Sequence, residues 1–221
     1  MNAGARSQQS AGPVRRRPVQ QRSLERYGRI LDACAGLLDE VGATALTTKE
    51  VAQRARVPIG TLYQFFAGKE DLLAALATRN LDHYLQRLDA RLAAAAPLDP
   101  AVFTDLAVEE FVAMKRAVPG FGQLDFGLAG PAVPTGVRDD RHLLDAGVDN
   151  NTAVALRLQA LGGELFRAGG PTAIVTLRVA LEAADAVLKL AFREAPDGDP
   201  ALIAECKRLV RGYLAQQPSA R

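Results

Sequence analysis

One short segment concentrates side chains that could recognise another molecule. Residues 59–66 read Ile-Gly-Thr-Leu-Tyr-Gln-Phe-Phe and contain no acidic residue. The hydroxyl groups of Thr61 and Tyr63 can donate hydrogen bonds to phosphate oxygens, and the Gln64 amide can pair with the edge of a base. These residue types predict a surface that enters the major groove of a nucleic-acid duplex.

The residues around these three fit the same interpretation. Gly60 permits a close approach of the backbone, and the Ile59 side chain can touch a thymine methyl group. Lys69 stands at the start of the following helix, where backbone N–H groups and the helix dipole attract a phosphate. The alternative is that the aromatic residues simply form core, and we expect Leu62 and Phe66 to face inward.

Two short helices must position this segment. Thr47 is followed three residues later by Glu50, which is the pattern of a capping box and predicts the start of a helix. That helix ends near Ala55, and Pro58 separates it from a second helix that it can itself begin. A longer amphipathic helix over residues 23–42 precedes them. The spacing predicts a compact helix-turn-helix unit.

The rest of the chain also has helical periodicity. No segment of useful length alternates polar and apolar residues as a strand would, so the predicted fold class is all-α. Residues 119–136 are rich in Gly and Pro and are expected to be irregular. Further helices are predicted over residues 68–96, 99–118, 138–167, 171–194 and 199–217.

Charge is distributed unevenly along the chain. Residues 1–22 hold five arginines and no acid, residues 23–80 are balanced, and residues 81–221 hold 18 acids against 15 bases. We expect a disordered basic arm over 1–22, a DNA-binding domain over 23–75 and a larger helical domain over 76–221. The arm can enter a minor groove, act by non-specific electrostatics, or be inert.

Composition and motifs exclude several classes of protein. The chain has no apolar run of 18 residues and no apolar stretch behind its basic N-terminus, which predicts a cytoplasmic protein without membrane contact. Cys34 and Cys206 are expected to be buried thiols. With two His, no P-loop and no Gly-x-Ser-x-Gly or His-Glu-x-x-His motif, we expect no metal, no cofactor and no enzyme.

These residues lead to a family resemblance over about residues 24–75. The stretch resembles the N-terminal domain of TetR-type transcriptional regulators. The residues that carry the resemblance are Ile30-Leu31-Asp32-Ala33, Gly42, Leu46-Thr47, Val51-Ala52-Gln53-Arg54-Ala55 and the run Val57-Pro58-Ile59-Gly60-Thr61-Leu62-Tyr63-Gln64-Phe65-Phe66-Ala67-Gly68-Lys69-Glu70-Asp71-Leu72.

The resemblance implies a three-helix DNA-binding domain with a recognition helix after Pro58. Three positions depart from the family pattern: Arg56 replaces a turn glycine, Pro58 replaces a Ser or Thr cap, and Phe65 replaces a Tyr or His. The DNA-binding residues implied by position are Thr47, Thr48, Lys49, Ile59, Gly60, Thr61, Tyr63, Gln64, Phe65 and Lys69.

For the C-terminal domain the resemblance implies a pocket for a small-molecule inducer and a homodimer. The apolar helix over 171–194 suits a dimer seam or a monomer core. Residues that could line an apolar cavity, or be ordinary core, are Phe103, Phe111, Met114, Phe121, Leu124 and Phe126. The expected function is a repressor that binds a palindromic double-stranded DNA operator as a dimer and is released by an inducer. Alternatives are a ligand-independent architectural DNA-binding protein and a small helical enzyme.

Overall fold

The computed structural model describes residues 19–95, 97, 99–127, 143–145, 147–167 and 172–216. The regular elements of these residues are helices, which confirms the predicted all-α fold class. None of these helices combines the length and apolarity needed to cross a membrane. The helices are α1 Val19–Ala45, α2 Thr48–Ala55, α3 Ile59–Phe65, α4 Lys69–Ala94, α5 Pro100–Ala117, α6 Asn150–Gly162, α7 Glu164–Arg167, α8 Thr172–Glu194 and α9 Pro200–Ala215.

The first helix begins earlier than its apolar pattern predicts. α1 starts at Val19, so the expectation that the arm extends to residue 22 is wrong for residues 19–22, while residues 1–18 lie outside the described residues. The exposed Gln and Arg residues at 20–22 are good helix formers and can extend a helix without burying a face. Near its other end the helix bends at Gly42, whose φ of 72° is outside helical values.

The capping box at the start of α2 is confirmed. The Glu50 N–H donates to Thr47 Oγ1 over 3.2 Å, and the Thr47 N–H donates to Glu50 Oε2 over 3.2 Å. At the other end, Arg56 has left-handed backbone angles, φ 54° and ψ 46°, and its N–H donates to the carbonyls of Ala52 and Gln53. A side chain in this conformation is unfavourable by about 1 kcal/mol relative to glycine.

The first three helices share one core with the start of α4. Ile30 and Leu38 of α1, Val51 of α2, Leu62 of α3 and Leu72 of α4 are fully buried in it. On the surface, the Arg54 guanidinium makes two bonds of 2.6 and 2.7 Å to the Glu40 carboxylate and joins α2 to α1. This guanidinium holds the pKa of Glu40 below its ordinary value.

The remaining helices form a second body around the far part of α4. α5 packs between α4 and α9, and α8 packs against both α6 and α9. The prediction of one helix over 138–167 is wrong in the described part. Residues 143–145 and 147–149 are non-helical, and α6 begins only after Asp149, whose carboxylate caps it by accepting from the Thr152 N–H.

An ion-pair cluster joins three helices of this body. Glu110 of α5 is buried and bonds to Arg87 and Arg91 of α4. The neighbouring Glu109 carboxylate lies 2.5 Å from Arg91 and 2.6 Å from Lys207 of α9. Lys207 and Arg91 together hold the pKa of Glu109 below its ordinary value. The cluster fixes α5 against its two neighbours.

The two thiols are buried as expected. Burial raises the pKa of Cys34 to about 12 and that of Cys206 to about 11, so both stay protonated near neutral pH. A protonated, buried thiol reacts poorly as a nucleophile or metal ligand.

The left-handed turn at Arg56 yields a stability prediction. Arg56→Gly removes the Cβ strain and should raise the free energy of unfolding by about 0.5–1 kcal/mol over that of Arg56→Ala, which keeps the strain. Urea denaturation of both variants measures the difference. If the glycine variant is no more stable than the alanine variant, the turn is unstrained.

Candidate nucleic-acid interface and cavity

One face of α3 is exposed and the opposite face is buried. Tyr63 is 53% exposed and Ile59 is 42% exposed, while Leu62 between them is completely buried. Gly60 and Gln64 are also exposed, and Thr61 is half-buried. The helix therefore presents the acid-free surface that the sequence predicts.

The start of α2 lies beside this exposed face. The hydroxyl oxygens of Thr48 and Tyr63 are 3.2 Å apart and share a hydrogen bond. Thr47 and Lys49 are exposed on either side of Thr48. The two helices thus offer a joint surface of hydroxyl groups and one lysine, which is suited to phosphate contacts.

Phe65, which the resemblance places among the DNA-binding residues, does not lie on the exposed face of α3. Its ring is half-buried against the domain core, with ring centroids 5.8 Å from Tyr27 and 6.2 Å from Phe66. The Tyr27 ring in turn stacks on Phe66 at 5.2 Å. A seven-residue helix makes barely two turns, so its last residue falls back toward the side on which Leu62 is buried.

The Lys69 side chain, which the sequence predicts to contact a phosphate, already makes a hydrogen bond within the protein. It is half-buried, and the ammonium group donates to the backbone carbonyl of Thr44 over 3.1 Å. This bond ties the start of α4 to the end of α1. A lysine has three N–H donors, so a phosphate contact remains a prediction for the other two.

A cavity of about 850 Å³ opens in the second body among α4, α5, α6 and α8. Phe103, Phe111 and Phe126 line it, as the sequence predicts. For the other three residues the structure agrees with the alternative, which is ordinary core. Met114, Phe121 and Leu124 are fully buried in packed core and do not reach the wall.

Most residues of the cavity wall are not apparent from the sequence, because they come from separate helices. Tyr84 of α4 and Phe166 of α7 complete a lining of five aromatic rings. The Phe103 and Phe166 rings meet edge to face at 5.0 Å, and Tyr84 lies 5.1 Å from Phe126. Polar lining residues missed from the sequence include Asp125, Asp149, Asn150, Asn151, Arg178, Glu182, Asp185 and Lys189.

Asp125 is the most buried of the charged lining residues. Its Oδ1 atom accepts from the backbone N–H groups of Phe126 and Gly127 over 2.5 and 3.1 Å. Its Oδ2 atom lies 3.6 Å from the Lys115 ammonium, which also lies over the Phe111 ring. Burial raises the pKa of Asp125, and the nearby Lys115 charge opposes that rise.

Residues 118–127 connect this cavity to the first domain. At one end of the segment, Asp125 and Phe126 line the cavity. Nearer its start, the Gly120 N–H donates to Asp39 of α1 over 2.8 Å. Gly120 has φ 77°, and a Cβ atom there would lie 2.8 Å from the Ala35 backbone. Only glycine fits this contact without a shift of the backbone.

A helix-turn-helix with an exposed recognition helix on an all-helical body defines a DNA-binding transcriptional regulator. Comparison with protein families agrees with this class. The description "Bacterial regulatory proteins, tetR family" applies to residues 30–76, and "Tetracyclin repressor-like, C-terminal domain" applies to residues 98–218. The chain belongs to the TetR family of transcriptional regulators.

Individual relatives support the same assignment. A TetR-family transcriptional regulator from Streptomyces coelicolor is 41% identical, with a TM-score of 0.72 over 87% of this chain and 99% of that chain. The HTH-type transcriptional repressor KstR of Rhodococcus jostii is 40% identical over 67 residues, which is 30% of each chain. The solved SmeT–triclosan complex shares the fold at 19% identity and a TM-score of 0.58, over 86% of this chain and 89% of that chain.

The pair at the cavity wall yields a prediction for stability and pH. Lys115→Met leaves the Asp125 carboxylate buried without its cation and should lower the free energy of unfolding by about 3–5 kcal/mol at pH 7. Without the lysine the folded-state pKa of Asp125 rises further above its unfolded value, so stability is retained at low pH and lost as pH rises. Urea denaturation at pH 5 and pH 8 should show the smaller loss at pH 5.

The double variant Lys115→Met/Asp125→Asn is the control. It removes both charges and should recover most of the lost stability. A loss that is equal at the two pH values, or that the second substitution leaves unchanged, contradicts the pairing.

Proposed function

We propose that this protein is a homodimeric repressor that binds a palindromic operator and is released by a small-molecule inducer, and that it catalyses no reaction. The exposed, acid-free face of α3, held outward by the burial of Leu62, is the observation that carries the proposal. The residues proposed to contact DNA are Thr47, Thr48, Lys49, Ile59, Gly60, Thr61, Tyr63, Gln64 and Lys69.

These residues fall into two groups, one suited to contact phosphates and the other suited to contact base edges. The hydroxyl pair of Thr48 and Tyr63, with Lys49 beside it, would hold phosphates and fix the register. Gln64 and Ile59, exposed on α3, would meet base edges in the major groove. Phe65 is not proposed as a contact because its ring packs on Tyr27.

An exposed apolar strip on α8 and α9 supports dimerisation. Val175 and Val179 of α8 are 59% and 45% exposed, and Leu209 of α9 is 47% exposed. Val179 and Leu209 share a groove with Ala183 and Gly212, whose small side chains allow a helix to approach closely. Contiguous exposed apolar surface of this kind marks a protein interface. Pairing two copies here would set two α3 helices on one duplex, about 34 Å apart.

The cavity supports control by a ligand. Its five aromatic rings could hold the apolar body of a small molecule, and its polar side chains could orient that molecule. SmeT and RolR, which share the fold, have been solved with triclosan and resorcinol. A ligand that moves Phe126 would displace a segment that Gly120 fixes to α1. To lower the DNA-binding-competent fraction of the dimer from 99% to 1%, the ligand must favour the other state by about 5.5 kcal/mol in total. The two cavities of the dimer would share this difference in binding free energy.

Tyr63 provides a direct test of the interface. Tyr63→Ala should weaken binding to an operator duplex about tenfold or more because it removes a phosphate donor and the ring that orients it. Tyr63→Phe should weaken binding less because it keeps the ring, and the slope of affinity against salt concentration should stay the same in both variants because the Tyr63 side chain carries no charge. Fluorescence anisotropy across a salt series measures both.

Arg193→Ala is the matched control, since Arg193 is exposed at the far end of α8 and should leave binding unchanged. Full affinity in both Tyr63 variants, with helicity preserved by circular dichroism, contradicts the assignment of this face.

The apolar strip yields a second test. Val179→Asp combined with Leu209→Asp places charges in the proposed seam and should convert dimers to monomers at micromolar concentration, with loss of operator binding. Sedimentation velocity measures the state. Leu156→Asp alters an equally exposed leucine on α6 that does not line the groove, and this variant should stay dimeric. If the variant with both substitutions is still a dimer, the dimer interface does not lie on this strip of α8 and α9.

A further inference from the structure

The cavity wall favours one chemical class of ligand over another. The chain contains eight Phe and four Tyr, and five of these rings line the cavity among α4, α5, α6 and α8. The rings meet edge to face or tilted, with centroid separations of 5.0–5.7 Å. A wall of this kind offers π-faces and edges on several sides and suits an aromatic guest.

The charged residues of the cavity wall disfavour an acidic ligand. Among the described lining residues there are four acids and two bases. Both bases already have partners, since Arg178 lies 3.0 Å from Asp149 and Lys189 lies 2.7 Å from Asp185. A carboxylate or phosphate on the ligand would therefore have to take a base from its partner and leave that acid unpaired.

Asp125 is placed to accept a hydrogen bond from a ligand. Its side chain is only 12% exposed, and it belongs to the cavity wall. Two backbone N–H groups occupy Oδ1, whereas among the residues that the structure describes the partner of Oδ2 is Lys115 at 3.6 Å. That separation exceeds the usual limit of about 3.2 Å for a hydrogen bond, so Oδ2 keeps capacity for a donor.

We infer that the effector of this regulator is an aromatic molecule that carries a hydroxyl or amine group and no carboxylate or phosphate, and that this group donates a hydrogen bond to Asp125. That this molecule acts as an effector rests on the proposed function, whereas the preference of the cavity for such a molecule rests on the lining residues alone. A bond from a hydroxyl to a buried carboxylate is charge-assisted and strong. The aromatic body of the ligand would lie among Tyr84, Phe111 and Phe126.

The test uses three matched probes and the full-length protein. Titration calorimetry is carried out with 4-hydroxybiphenyl, biphenyl-4-carboxylate and biphenyl. We expect 4-hydroxybiphenyl to bind the wild type about tenfold or more tightly than either of the other two compounds. Tighter or equal binding of the carboxylate, or no binding of any probe, overturns the inference.

Variants locate the contact. Asp125→Asn should lower the affinity for 4-hydroxybiphenyl about tenfold and leave that for biphenyl unchanged. Because this change leaves Lys115 without its partner, Lys115→Met/Asp125→Asn is titrated in parallel and should show the same loss of preference. Glu182→Gln changes another lining acid, keeps the Arg178–Asp149 and Lys189–Asp185 pairs intact, and is the matched control that should retain the preference. Unchanged preference in both Asp125 variants overturns the assignment of the donor contact.

A separate readout distinguishes this inference from the proposed function. The same probes are added to a complex of the protein with an operator duplex. If 4-hydroxybiphenyl binds with the expected preference but leaves the duplex bound at saturation, ligand control of DNA binding fails and the ligand class stands. If the carboxylate is preferred and releases the duplex, the regulatory proposal stands and the ligand class fails.

Discussion

The recognition surface depends on the burial of one side of a very short helix. α3 has seven residues, and a helix of that length is unstable in water unless tertiary contacts hold it. Leu62 supplies the central contact, since it is completely buried in the core that α1 and α2 share. Phe65 and Phe66 pack on Tyr27 and fix the end of the helix. Because these side chains face inward, Ile59, Tyr63 and Gln64 are left facing outward.

The contact between Gly120 and α1 extends this constraint to the second body. It is built from a backbone hydrogen bond to Asp39 and an approach to Ala35 too close for any side chain at residue 120. A few residues later the same segment enters the cavity wall. The buried Asn80 side chain of α4 donates to the Leu124 carbonyl over 2.7 Å and adds a second attachment. In the proposed mechanism, the cavity communicates with the DNA-binding helices through this segment as well as through α4 itself.

Local features were predictable from sequence because they depend on neighbouring residues. The capping box at Thr47 and the break between α2 and α3 at Pro58 both follow from side chains a few positions apart. The start of α1 was not predictable in this way. Residues 19–22 have no apolar period, and a helix can extend through exposed residues without one.

Contacts between residues far apart in the sequence were harder to predict. Their apolar side chains indicate that Phe121 and Phe126 are both buried, but the sequence does not indicate which of them meets a cavity. Tyr84 and Asp125 become neighbours of the cavity only when α4 and the segment after α5 are brought together. Lys69 similarly finds the Thr44 carbonyl 25 residues away, a contact that no local pattern encodes.

The central claim is that two copies of the α3 face read one duplex symmetrically. Selection of bound duplexes from a random pool by the wild-type protein tests it most directly. Symmetric binding by a dimer predicts enrichment of an inverted repeat with half-sites about one helical turn apart, close to 10 base pairs or slightly more. Enrichment of a single unrepeated site, or no enrichment over the starting pool, would contradict it.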